Sequence, residues 1–281
     1  MDNALRSNRI RRAVWRSTDL PTLEVANQYG TGVVSLYGAH VLSWIPAGGA
    51  EVLMLSEKSA WQVGEPIRGG VPVCWPWFGG AAKPSHGIAR RNLWELQSTT
   101  AEADGSDTVE LVFETEEPHP LRATFRVNFG ASLRMSLTTL NRGASAWRVG
   151  GALHTYFAVS DIGKVTLSGL ENAGWLDTVG GTRECPGKPG PVVFEAETDR
   201  VYHSAAPVLL RDAGWNRAFR IAKEGSQETV VWNPWIEKAR RMPDFGDGEY
   251  QKMLCVEAAN IPGVEIEPGK SHTLTQIVTP A

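Results

Sequence analysis

The chain is poor in cysteine, in metal-ligand clusters, in long apolar runs and in helical signals, and each shortage narrows what it can be. Cys74, Cys185 and Cys255 are the only three cysteines in 281 residues, far apart and in no CxxC pair. They argue against a disulfide framework and fit reduced thiols in a cytoplasmic protein, with Cys74 and Cys255 as core residues. Six histidines are scattered without an HxH or HExxH spacing, so no metal site is expected. No uninterrupted apolar stretch reaches membrane-spanning length, and none is expected to engage a membrane. Basic charge is not in excess: 28 Lys and Arg face 31 Asp and Glu, for a net charge of -3, which argues against nucleic acid as a partner. The opening MDNALRSNRIRRAVWRSTDL is polar and Arg-rich and has no apolar segment of the kind a secretory leader needs. Asp2, Asp19 and the strand-like WRSTDLPTLEVA argue against a mitochondrial presequence. Repeats, low-complexity tracts and Ser/Gly linkers are absent, so residues 1–281 are expected to form one domain, acting as a monomer.

What is present is strand. TLEVAN, GTGVVSLYG, HVLSWIP, TVELVFET, RATFRVNFG, SLRMSLTTLNRG, KVTLSGL, VVFEAE, AFRIAKEG, TVVWNP, MLCVEAAN and HTLTQIVTP are rich in β-formers, and many alternate apolar and polar residues. Alternation marks antiparallel sheets with one face on a core. NPWIEKARRMP is the best helix candidate, with Asn233 as cap, Pro234 at the first position and Pro243 as stop. The expected fold class is all-β, a large antiparallel β-sandwich with a few short helices.

Four segments break this grammar. GGALHTYFAVSDI, residues 150–162, carries His154 on the same side of the pleat as Tyr156 and Ala158. An imidazole there must be hydrogen-bonded in place or do chemistry. IRGGVPVCWPWFGG, residues 67–80, holds two prolines too close for a sandwich strand and is expected to be an ordered loop, with Arg68 beside a Gly-Gly pair. SHGIARRNLWEL, residues 85–96, brings Arg90 and Arg91 near a second glycine. Arginine's planar fork suits a phosphate or carboxylate, although exposed pairs are commonly solvated surface. In QKMLCVEAAN, Glu257 shares a face with Met253, Cys255 and Ala259. A carboxylate among apolar neighbours has its pKa raised by desolvation, which suits a general base; a structural ion pair is the other reading.

Together, IRGGVPVCWPWFG, SHGIARRNLW, LHTYF, VWNPWIEKARRMPDF and CVEAAN, in this order, resemble the hexose-6-phosphate mutarotases, the glucose-6-phosphate 1-epimerases of the aldose 1-epimerase superfamily. The resemblance implies a galactose-mutarotase-like β-supersandwich with a sugar cleft. It implies His154 as catalytic acid, Glu257 as catalytic base, and Arg68 and Arg90 as holders of the phosphate. It implies a loosely placed Asp177 on sugar hydroxyls, and Ser85 where the family usually has glutamine. His86 would polarise a hydroxyl or hold the loop. Net isomerisation of a small-molecule sugar phosphate requires no cofactor and no metal. Four other readings stay open. One is a non-catalytic sugar-phosphate sensor, and another a mutarotase of unphosphorylated aldoses. The third is a glycoside hydrolase using Glu257 with Asp177. The last is a nucleotide enzyme using GTRECPGKPG, which has five residues between its glycines and Pro189 in place of Ser or Thr. The phosphate clamp requires Arg68 and Arg90 to point into the cleft; packing against an acidic neighbour removes that argument.

Overall fold

The computed structural model describes residues 9–16 and 18–281. The first eight residues, part of the Arg-rich opening read above as lacking an apolar leader, lie outside it. All the sheet pairings are antiparallel and form three sheets. A four-stranded sheet runs Ile10–Val14, Pro21–Asn27, Gly30–Ser35, His40–Pro46. An eight-stranded outer sheet is centred on Arg217–Glu224, Ser271–Pro280, Leu133–Asn141 and Leu121–Phe129. In the last two, every second residue is buried: Leu121, Ala123, Phe125, Val127 and Phe129 face the core, as do Leu133, Met135 and Leu137. A one-residue slip would turn each set to solvent, so burial pins the register Phe125↔Leu137. Each buried large side chain contributes about 1.5–3 kcal/mol.

The second eight-stranded sheet carries the chemistry. Its central strand, Met253–Ile266, lies between Glu228–Asn233 on one side and Trp147–Leu153 with Tyr156–Ala158 on the other. Both faces of its first half are covered, which is why MLCVEAAN does not alternate. Leu254, Val256 and Ala258 enter the main core. Cys255 and Glu257 fall on the other face.

Two local expectations change. The proline-rich loop contains a two-residue strand, Val73–Cys74, paired with Leu153 and Ala152. Pro72 and Pro76 flank those two residues rather than occupy the ladder, so each can lack its N–H without cost. The helix spans Trp235–Arg241; Asn233 Oδ1 accepts the Trp235 N–H at 2.9 Å, and Pro234 stands just before the helix rather than at its first position. Among the described residues no helix is long and apolar enough to cross a membrane.

Candidate active site

The ladder beside the central strand is interrupted at His154 and Thr155, between Trp147–Leu153 and Tyr156–Ala158. Leu153 still pairs with Ala258, and Tyr156 with Cys255, so the two unpaired residues lie opposite Val256 and Glu257. Thr155 turns to the core, where its hydroxyl donates to Gln276 Oε1, a fully buried residue of the outer sheet. Gln276 Nε2 in turn donates to the Val256 carbonyl at 2.9 Å. His154 turns the other way and stacks on Tyr156, ring centroids 4.8 Å apart and planes 13° from parallel. Its Nδ1 comes within 3.3 Å of Glu257 Oε1. Neither that nitrogen nor either Glu257 carboxylate oxygen has a hydrogen-bond partner within the protein. Buried polar atoms left open in this way are rare in stable folds and mark a place where a ligand completes the bonding.

Burial pushes the Glu257 carboxyl well above the usual carboxylate range; Asp199 pushes it further and Arg90 opposes. Burial also drives His154 well below the usual imidazole range, reinforced by His86, Arg68 and Arg90. Without a ligand, burial thus disfavours charge on both groups.

Both groups open on a cavity of about 630 Å³, whose wall includes Arg68, Ser85, His86, Asp199, Trp232 and Lys238. A larger cleft of about 980 Å³, lined by Trp215 and Arg217, has no histidine or cysteine on its wall. Acid–base chemistry therefore selects the smaller one. His86 sits in the left-handed region, φ 63°, followed by Gly87 at φ 77°. A Cβ on Gly87 would fall 2.1 Å from the Trp75 carbonyl oxygen, so only glycine allows this turn to deliver the imidazole. His86 Nδ1 accepts the Gly79 N–H at 3.4 Å, which leaves the ring hydrogen on Nε2. Burial, with Arg90 and Arg68, lowers its pKa to about 3, so the ring is a neutral donor. Ser85 reaches the wall but spends its hydroxyl hydrogen on the Gly79 carbonyl, 2.9 Å away.

The two arginines differ. Arg68 is on the wall, yet Asp244 takes its Nε and Nη2 at 3.1 and 3.0 Å, and Tyr156 Oη takes Nη1 at 2.9 Å. Asp244 is the acidic neighbour that removes the sequence argument for Arg68 as a phosphate clamp. Arg90 does not line the cavity; it is 8% exposed and donates from Nη2 to the Ser85 carbonyl. Its Nε has no partner, and among the described residues no carboxylate comes within ion-pair distance of it. Burial pulls its pKa down, the mark of a cation lacking a counter-ion.

Asp177 is not on the cavity. Its strand, Trp175–Asp177, pairs with Thr198–Tyr202, and its carboxylate lies 3.7 Å from Arg200 Nε on the far face. Strand alternation explains the correction: Leu176 and Thr178 face the cavity, as do Asp199 and Val201 on the neighbouring strand. Asp199 is the carboxylate that shares the site with Glu257, and the Glu257–Asp177 pair of the hydrolase reading is not assembled.

A model of the aldose 1-epimerase family matches residues 21–279. The chain belongs to the aldose 1-epimerase family. A provisionally named glucose-6-phosphate 1-epimerase of Escherichia coli K12 is 40% identical over 239 residues, 80% of this chain and 78% of that protein. One of Cenchrus ciliaris with the same provisional name is 35% identical over 254 residues, 84% and 77% of the two chains. The crystal structure of a provisionally assigned mutarotase from Salmonella typhimurium superposes with TM-score 0.89 at 30% identity, covering 99% of this chain and 96% of that one. A galactose mutarotase related enzyme from Lactobacillus acidophilus, 13% identical, shares the fold with TM-score 0.74 over 92% and 97% of the chains.

Within this aldose 1-epimerase family member, the structure adds residues that the sequence reading did not single out. Lys238 lies 3.1 Å from Glu197 and 3.3 Å from Asp199, fixing the latter at the wall. Trp232 meets His154 edge-on with centroids 5.9 Å apart. Lys238 and Asp244 stand inside VWNPWIEKARRMPDF, a motif already quoted for the resemblance, but nothing in their spacing announces partners on distant strands.

Proposed function

We propose that the chain is a single-domain, monomeric, cytoplasmic hexose-6-phosphate mutarotase that interconverts the α and β anomers of glucose 6-phosphate. The carrying observation is the His154–Glu257 pair, 3.3 Å apart, buried, with its facing atoms unpartnered on a cavity wall. The names of the relatives supply the phosphorylated hexose. Arg90, a buried cation without a carboxylate, does not line the cavity and would favour an anionic substrate through its field rather than by contact. The Asp244 ion pair means that Arg68 contributes through the part of its fork left free rather than as an unmatched charge.

The proton held by Glu257 moves to His154 Nδ1, creating a carboxylate and an imidazolium without exchange with bulk water. Arg90 favours the carboxylate. Glu257 then takes the C1 hydroxyl proton while His154 gives its Nε2 proton to the ring oxygen. The C1–O5 bond breaks, C1 becomes an aldehyde, and the C1–C2 bond rotates. Closure on the other carbonyl face reverses both transfers, so no proton or electron is gained or lost. Each proton-transfer group supplies about 10²–10⁴-fold. His86, neutral and donating from Nε2, polarises an oxygen in its reach.

The test is NMR exchange between α- and β-glucose 6-phosphate, with glucose and galactose in parallel and the uncatalysed rate subtracted. Acceleration of the phosphate ester above the free sugars is expected. Equal acceleration of all three would reassign the substrate to unphosphorylated aldoses. No acceleration by folded protein would leave a sugar-phosphate sensor.

A further inference from the structure

We infer that an oxyanion held on Arg68 activates His154 through the Asp244–Arg68–Tyr156 array, so that the substrate's phosphate switches on the acid as well as anchoring the sugar. This rests on the mutarotase reading above.

Asp244 closes on the Nε and Nη2 side of the guanidinium, and Tyr156 Oη accepts from Nη1. A guanidinium has five N–H groups, and the second Nη1 hydrogen has no partner. Arg68 lines the cavity, and we assign this remaining hydrogen to a ligand oxygen. The phenol that receives the other Nη1 hydrogen lies flat on the His154 ring. Tyr156 is 1% exposed and His154 7%, so little water separates a charge at Arg68 from the imidazole.

The groups facing His154 are Glu257 at 3.3 Å, Cys255 with its sulfur within 4.8 Å, His86 at 5.6 Å between centroids, Phe78, Tyr156 and Trp232. After burial and His86, Arg68 and Arg90 are the charges that resist the imidazolium. A dianion against Arg68 opposes that resistance and favours the protonated ring that ring opening needs. Asp244 holds the fork for this role and, carrying only one negative charge farther along it, does not replace the dianion.

Phosphite dianion is the probe, offered with unphosphorylated glucose to the intact chain at constant ionic strength, with a chloride control. Phosphite catalysis without protein is subtracted. A saturable rise in enzyme-dependent glucose mutarotation of about tenfold is expected, corresponding to one pKa unit at His154. Tyr156→Phe should cut that activation several-fold and lower kcat for glucose 6-phosphate more than it raises KM; Arg68→Met should abolish activation. Fast turnover of glucose 6-phosphate with no phosphite-dependent turnover of glucose overturns the inference and leaves the mutarotase reading standing. Failure to accelerate either sugar removes that reading itself, and the activation with it.

Discussion

Asp177 stands directly across from Arg200 on the adjacent strand, and this pair occupies the face of the sheet turned away from the cavity. One residue along, Thr178 and Asp199 occupy the cavity face, joined by the Thr178 N–H to Asp199 carbonyl bond of 2.9 Å. Asp199→Asn is therefore expected to lower kcat/KM for glucose 6-phosphate roughly ten- to hundredfold, the loss of one charged hydrogen bond. Asp177→Asn should change it less than about twofold, because its ion pair with Arg200 lies on the face turned away from the cavity. Steady-state kinetics on the two variants decides, and the opposite ranking would return the sugar contact to Asp177.

Glu257→Gln and His154→Asn keep the cavity's shape while removing one proton carrier each. Their expected effect is a fall of about 10²–10⁴ in kcat with the cooperative melt retained. Glu257→Gln should not lose stability, since burial penalises the charged carboxylate in the empty site. Near wild-type exchange rates in either variant would falsify the acid–base assignment.

Arg90→Met removes a buried cation that has one carbonyl for a partner. Stability is expected to hold or rise, because an apolar chain of similar length avoids the desolvation of an unpaired charge. KM for glucose 6-phosphate should rise severalfold as the positive field behind the cavity wall is lost, while that for free glucose is unaffected. Urea melts beside Michaelis constants test both halves; an unchanged KM would show that this charge does not reach the substrate.

His40 gives the fold an acid sensitivity of its own. It is fully buried, donates from Nε2 to the Gly69 carbonyl at 2.7 Å, and has no partner at Nδ1. Burial lowers its pKa to about 3. The folded chain thus leaves His40 neutral where the unfolded chain, titrating near 6.5, takes up a proton. Stability from this group is complete above about pH 6.5 and falls as pH drops toward 3, by about 2 kcal/mol at pH 5. Burial acts on His86 in the same direction. The pH 7 to pH 5 difference in urea stability should shrink in His40→Gln; an identical difference would assign the acid sensitivity elsewhere.

Antiparallel alternation was legible wherever one face of a strand is wet, as in RATFRVNFG and SLRMSLTTL. It was not legible around residues 192–202. VVFEAE suggested a strand there, whereas the strand is Thr198–Tyr202, whose register decides which aspartate faces the cavity. His154 and Glu257 stood out as ionisable groups in apolar strands, but structural readings stood beside the chemical ones until the resemblance assigned their roles. Asp244 did not, because its significance lies in Arg68, 176 positions away. Electrostatic pairing across such separations leaves no local pattern.

Gln276 belongs to the outer sheet, yet it grips Thr155 and the Val256 carbonyl, the immediate neighbours of the two proton carriers. The break in the ladder that frees His154 would otherwise strand backbone and hydroxyl groups in the core. A single amide from the opposite layer answers both. The His154–Glu257 pair is consequently riveted from behind, its spacing set by a residue of the far layer that does not line the cavity.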